Sequence, residues 1–175
     1  MRTRRKFLID SAVAIAAVPL LSCHTRVPAD TRFGQLQTFN PHEARALDSV
    51  LAQLLPSGAG MPGARETKVL DYFDRELRKP DMTALQNAVR YGVHALNHAA
   101  LRAGADNYAW LPLEKQTNLL HDFQHDTLHM GTQPTSPIFT HLLALALEGY
   151  LCDPKCGGNA DCKGWLGAGI ETRCL

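Results

Sequence analysis

Asn40-Pro41-His42-Glu43-Ala44-Arg45-Ala46-Leu47-Asp48-Ser49-Val50-Leu51-Ala52-Gln53-Leu54-Leu55-Pro56 is the stretch that decides the fold class. Its first four residues form a helix-start signal. Asn40 can accept from the free N–H groups of a first turn, Pro41 suits a first position that needs no donor, and Glu43 can reach back to the N–H of Asn40. Ala44, Leu47, Val50, Leu51, Leu54 and Leu55 then recur at helical spacing, and Pro56 ends the run. A helix with one apolar stripe needs another apolar surface to cover it, so the rest of the chain must supply one.

The chain beyond supplies it as more helices. Ser57 to Gly63 is a turn-rich loop, after which Val69, Leu70, Phe73 and Leu77 line one face of a second helix. Pro80-Asp81 stops that helix and caps a third, whose core stripe is Leu85, Val89, Gly92, Leu96 and Ala99 or Ala100, up to Gly104. Its opposite face carries Asn87, Tyr91, His94, His98 and Leu101. A fourth helix starts near Pro112 with Leu113, Leu119, Leu120 and Phe123 on one side and His121, His125 and His129 on the other. Ser136-Pro137 opens a fifth, Ile138 to Glu148, which is apolar nearly all round and is expected at the centre. Gly149 reads as its C-terminal cap, and His141 as a hydrogen-bonded core histidine. The expected fold is all-α: an irregular bundle of about five helices over residues 30–151, behind a leader at 1–29, with a loop-rich, cysteine-tied tail at 152–175 packed on it.

At 175 residues and 45% apolar content, the chain has the composition of one globular domain. Arg2, Arg4, Arg5, Lys6 and Asp10 precede Cys23, and without them the formal charge goes from +1 to −2. A near-neutral domain without clustered Lys and Arg lacks the footprint of a nucleic-acid binder, so no nucleic-acid partner is expected.

Thr3-Arg4-Arg5-Lys6-Phe7-Leu8 matches the twin-arginine export pattern, with Arg4, Arg5, Phe7 and Leu8 as its signal residues. The apolar stretch from Ser11 to Leu21 is shorter than the ~20 residues a bilayer span needs, so it reads as the core of a signal peptide. Leu20-Leu21-Ser22-Cys23 resembles a lipoprotein cleavage site with Cys23 as the acylated residue; Val27-Pro28-Ala29 resembles an ordinary one. A periplasmic, membrane-anchored protein is the expected product. Either exit leaves Cys152, Cys156, Cys162 and Cys174, an even number that favours two disulfides in an oxidising compartment. A four-thiolate zinc site competes, although the spacing is not the paired C-x-x-C of zinc ribbons. No C-x-x-C-H for covalent haem occurs.

No dinucleotide-binding glycine fingerprint, phosphate loop or Gly-x-Ser-x-Gly elbow is present, so no catalytic residue is assigned to this chain. Asp153-Pro154 and Gly157-Gly158-Asn159 read as turn chemistry. His94 with His98, and His121 with His125 and His129, lie four apart at the spacing of helical metal ligands, with Asp122 and Asp126 placed to orient imidazoles. The plainer reading is a solvated histidine-rich surface; the sharper one is a free-standing envelope lipoprotein that binds a divalent metal.

Three segments together resemble the gluconate 2-dehydrogenase subunit 3 family. They are Leu54-Leu55-Pro56 with Met61 to Glu66 and Asp71 to Leu77; Leu111 to Gln116 running into Leu119-Leu120; and Leu147 to Tyr150 with Asp153-Pro154, Gly157-Gly158-Asn159 and Gly164-Trp165. In place of the family's usual aromatic just before Gly-Gly-Asn this chain has Cys156. The resemblance implies a non-catalytic small subunit that exports, stabilises or tethers a large flavoprotein dehydrogenase acting on a sugar, sugar acid or polyol. FAD is expected on that partner and no cofactor on this chain, with a membrane c-type cytochrome as a further companion. Tyr91, His94, His98, Leu101 and Trp165 are the candidate partner contacts, because aromatic anchors are favoured in interfaces.

Replacing Arg4 and Arg5 together by Lys is expected to leave the precursor in the cytoplasm; normal export of that variant, followed by cell fractionation, would remove the twin-arginine reading. Cys23→Ala is expected to release the chain from the membrane fraction when the partner is absent.

Overall fold

The computed structural model describes residues 31–171, apart from 129, 130 and 132. Arg4, Arg5, Phe7, Leu8, Cys23, His129 and Cys174 therefore lie outside the described residues.

The helix start at Asn40 forms as its residues predict. The Asn40 side-chain oxygen accepts from the N–H groups of His42 and Glu43, each at 2.9 Å, and Glu43 Oε2 accepts from the Asn40 N–H at 3.0 Å. This box opens α1 (Pro41–Leu54), which buries Ala44, Leu47, Val50 and Leu51. Next, α2 (Val69–Glu76) turns Val69, Leu70 and Phe73 inward, with Leu77 buried just past its end. A 3-10 turn, Pro80–Met82, leads into α3 (Thr83–Arg102), so Asp81 lies inside that turn and does not cap the helix. The stripe of α3 is buried at Val89, Gly92, Leu96, Ala99 and Ala100. After a second such turn, Tyr108–Trp110, comes α4 (Leu113–Gln124), which buries Leu120 and Phe123. Leu113, read as part of that inner face, is instead 68% exposed, at the edge of an open pocket that it lines with Ala109 and Gln116.

The bundle is completed by α5 (Ser136–Leu151), and the tail adds a short α6 (Lys163–Gly167) that its glycine-rich composition hides. Among the described residues there is no strand, only an isolated antiparallel bridge between Gly58 and Met61. No helix there is long and apolar enough to cross a membrane. The all-α bundle stands.

On α5 the structure corrects three readings. The helix packs on α2, α3 and α4, but these cover only part of its circumference. His141 is therefore exposed, and Leu147 and Leu151 are 45% and 41% exposed. Gly149 does not cap the helix, which continues to Leu151. Gly149 lies instead where α5 meets Tyr72 of α2, and a Cβ there would stand 2.7 Å from the Tyr72 ring. At the other end, Asp126 Oδ1 accepts from the N–H of Ser136 at 2.7 Å and from that of Thr135, so Asp126 closes the start of α5. Asp122 is likewise engaged, accepting from the Thr127 hydroxyl at 3.0 Å.

A buried amide joins the helices where apolar contact alone would leave their register loose. Gln116 of α4 accepts from the Ser49 hydroxyl at 2.7 Å and from the Gln53 amide at 3.1 Å, both on α1. Its own amide donates to the carbonyls of Leu111 at 2.7 Å and Ala109 at 3.2 Å. The Tyr108 hydroxyl donates to the Gln116 carbonyl at 2.8 Å and accepts from Gln53 at 2.7 Å, while the Tyr108 N–H donates to Asn97 of α3 at 2.9 Å. Upstream of α1, the Asp74 carboxylate accepts the N–H groups of Gln37 and Thr38, pinning that segment to α2.

Gly149→Ala should cost ~1–3 kcal/mol, the range for overpacking a filled site, read as a lowered urea midpoint. Gly58→Ala, whose Cβ would meet nothing within 4 Å, should stay within ~0.5 kcal/mol of the parent. Equal midpoints for the two variants would contradict the close approach of α5 to Tyr72.

Candidate partner interface

The Gly-Gly-Asn segment is the fastening of the tail. Asn159 is fully buried in a left-handed conformation (φ 47°), which Asn tolerates better than most residues. Its side chain bridges two parts of the chain, donating to the Cys152 carbonyl at 2.8 Å and accepting from the Gly164 N–H at 2.8 Å. At Gly158 a Cβ would fall on the Gly149 carbonyl, and at Gly164 on that of Tyr150, so both positions let the tail lie directly against the last turn of α5. The Tyr150 hydroxyl continues the contact to the 57–63 loop by donating to the Pro62 carbonyl at 2.9 Å. These residues act as structure, in line with the turn chemistry of their sequence.

Against this frame the five expected contact residues fall into two places. Tyr91, His94, His98 and Leu101 share the outer side of α3: His98 is exposed, Leu101 is 58% exposed, and Tyr91 is half-buried. His94 Nε2 lies 3.1 Å from Glu43 Oε1, which ties α3 to the first turn of α1. Trp165 is half-buried, and its indole N–H donates to the Leu151 carbonyl at 2.7 Å. That indole thus helps hold the tail to α5, and only part of its ring faces outward.

Sequence reasoning missed a more continuous apolar surface. Leu143, Leu147 and Leu151 recur every four residues on α5, half-buried at the first and exposed at the other two. Their spacing was visible, but a helix apolar all round gives no sign of which side its neighbours leave open. Met61, Leu166 and Ile170 add further exposed apolar side chains on the loop and tail that Tyr150 and Pro62 join.

Of the histidines spaced four apart on α4, the described pair lie against each other. His121 and His125 stack with ring centroids 4.2 Å apart, and His125 Nδ1 lies 2.9 Å from the His121 carbonyl. Among the described residues no three His, Cys, Asp or Glu side chains gather in a way that could hold a metal ion.

The cysteines also depart from expectation. Cys152 and Cys156 are free thiols, so the tail is not tied by two disulfides. The Cys152 thiol is held by its surroundings, donating to the Gly149 carbonyl at 3.4 Å, while Cys156 is exposed at the end of the 3-10 turn Pro154–Cys156. Cys162 is disulfide-bonded, which removes one thiolate from the four-thiolate zinc alternative. Where Cys152 and Cys156 make no bridge, Asn159 and the two glycines fasten the tail.

The family model described as Gluconate 2-dehydrogenase subunit 3 matches residues 41–171, from the first turn of α1 through the docked tail. The chain belongs to that family. No curated protein and no solved structure matches it. Membership in the gluconate 2-dehydrogenase subunit 3 family makes this chain a subunit type of a dehydrogenase complex, with other subunits as its companions. The matched span contains each of the elements that the tail clamp joins.

Alkylation of the unreduced protein should label Cys152 and Cys156 and spare Cys162. Cys156 should react first, because burial pushes the Cys152 thiol above the usual cysteine range, with neighbouring Cys156 acting in the same direction. The Cys152 rate should therefore keep rising with pH beyond the range in which an ordinary cysteine thiol titrates. Peptide mapping that finds both residues unlabelled would contradict the assignment.

Proposed function

We propose that this chain is the non-catalytic small subunit of an exported, membrane-associated, flavin-dependent dehydrogenase that oxidises a sugar, sugar acid or polyol. FAD and the catalytic base belong to a larger companion subunit, with a membrane c-type cytochrome as its electron acceptor. The role of this chain is to dock on that flavoprotein and stabilise or tether it, and its twin-arginine leader offers a route by which a folded pair is exported together. The observation that carries the reading is the family match over residues 41–171.

The interior supports a docking role in a second way. The polar side chains that converge between α1 and α4, Ser49, Gln53, Tyr108 and Gln116, are hydrogen-bonded to one another and to backbone. Ser49, Gln53 and Gln116 also line an open pocket of ≈ 410 Å³, and a ligand there would compete for polar atoms already used, at ~1–3 kcal/mol for each group left unsatisfied. The outward side of the molecule offers exposed leucines on α3 and α5, the kind of surface a partner covers.

Affinity capture through a tagged copy of the full chain from its own host should recover a flavin-containing polypeptide several times its size, and the recovered pair should reduce a flavin-coupled dye when given sugar or sugar acid. The purified chain alone should carry no flavin absorbance and no such activity. Capture that yields no flavoprotein, or dye reduction by the isolated chain, would overturn the assignment.

A further inference from the structure

One face of α2 and the tail enclose a cationic cleft, in which Arg75 also helps hold the tail. Lys68, Asp71, Arg75 and Arg78 recur at helical spacing along one wall, and Pro154, Gly157, Gly158, Ala160 and Asp161 form the other, around a volume of ≈ 480 Å³. Cations dominate it. Against Lys68, Arg75 and Arg78 stand two carboxylates, Asp71 and Asp161, and Asp161 is paired with Lys163 at 2.9 Å. Arg75 donates to the Lys155 carbonyl at 2.6 Å and Arg78 to the Gln37 side chain. A guanidinium carries five N–H donors, so these bonds leave both side chains capacity to bind carboxylate. The surplus stands out on a chain whose formal charge without its leader is −2.

We propose that this cleft is the docking point for an acidic segment of the companion dehydrogenase subunit. The inference rests on the subunit reading above and adds to it the chemistry of the contact. Charge complementarity selects carboxylates, and geometry selects a segment. Lys68 and Arg78 flank the two ends of α2, whose eight residues span ~12 Å at the helical rise. That length matches an extended run of about four residues at ~3.4 Å each and exceeds the reach of one small carboxylate. The cleft is open to solvent along this length, so such a segment can lie across it without unfolding the tail.

The test uses the flavoprotein recovered with the wild-type chain. Lys68→Glu combined with Arg78→Glu reverses two charges in the full chain while leaving Arg75, which holds the tail, in place. The double variant should bind that flavoprotein at least tenfold more weakly at low salt and lose most of the salt dependence shown by the wild type. Carbodiimide treatment of the wild-type pair should join Lys68 to an Asp or Glu of the partner. Should the double variant melt early, the milder Lys68→Gln with Arg78→Gln should show the same direction of change.

Wild-type affinity in folded variants, with no cross-link at Lys68, would overturn this docking point while leaving the subunit reading intact. Saturable binding of gluconate to the isolated chain, abolished by the same substitutions, would overturn it in favour of a small-molecule site. Failure of the wild-type chain to capture any flavoprotein would overturn both readings.

Discussion

The Gln116 amide is the constraint around which the helices are set. Two acceptor contacts come from α1 and two donor contacts go to the segment just before α4, so its position fixes how far α1 stands from α4. Apolar burial draws these helices together without direction, whereas four hydrogen bonds on one side chain allow one register. Tyr108 extends the same network to Asn97 and thus to α3, whose buried stripe packs against both α1 and α5. Losing any one member leaves its partners short of a hydrogen bond, and for that reason such a network specifies a unique arrangement as well as contributing stability.

Local signals in the sequence carried the helices well. The Asn40 box, the core stripe of α3 and the buried set on α2 each follow from spacing and capping within a few residues. What failed was whatever depended on a neighbour distant in sequence. Gly149 has the composition of a cap, yet its reason is Tyr72, which stands 77 positions away. His141 and Leu147 belong to an apolar helix whose open side is decided by where α2, α3 and α4 happen to lie. The tail hides its short helix because three non-glycine residues there, Asn159, Asp161 and Cys162, take left-handed conformations that no helical pattern announces.

The candidate interface was legible in part for the same reason. A second face on α3 follows from periodicity, and its exposed His98 and Leu101 lie where that periodicity puts them. Trp165 was selected for its chemistry, but its indole nitrogen is used at Leu151. The cationic cleft has half its wall in a helical spacing that can be read and half in a turn that cannot, since Gly157 and Gly158 reach α2 only through the docked tail. Family membership and fold thus point the same way: internal polar groups hold the chain together, and the chemistry left over faces outward.

The fastening of the tail also sets an order on folding. The carbonyls of Gly149 and Tyr150, at the end of α5, are covered by Gly158 and Gly164, and the Asn159 side chain needs both Cys152 and Gly164 to complete its bonds. A nascent chain still short of residue 164 has built its helices but not closed this end. Closure of this end therefore waits until residue 164 has left the ribosome, so the junction between α5 and the tail is among the last contacts of the described chain that can form.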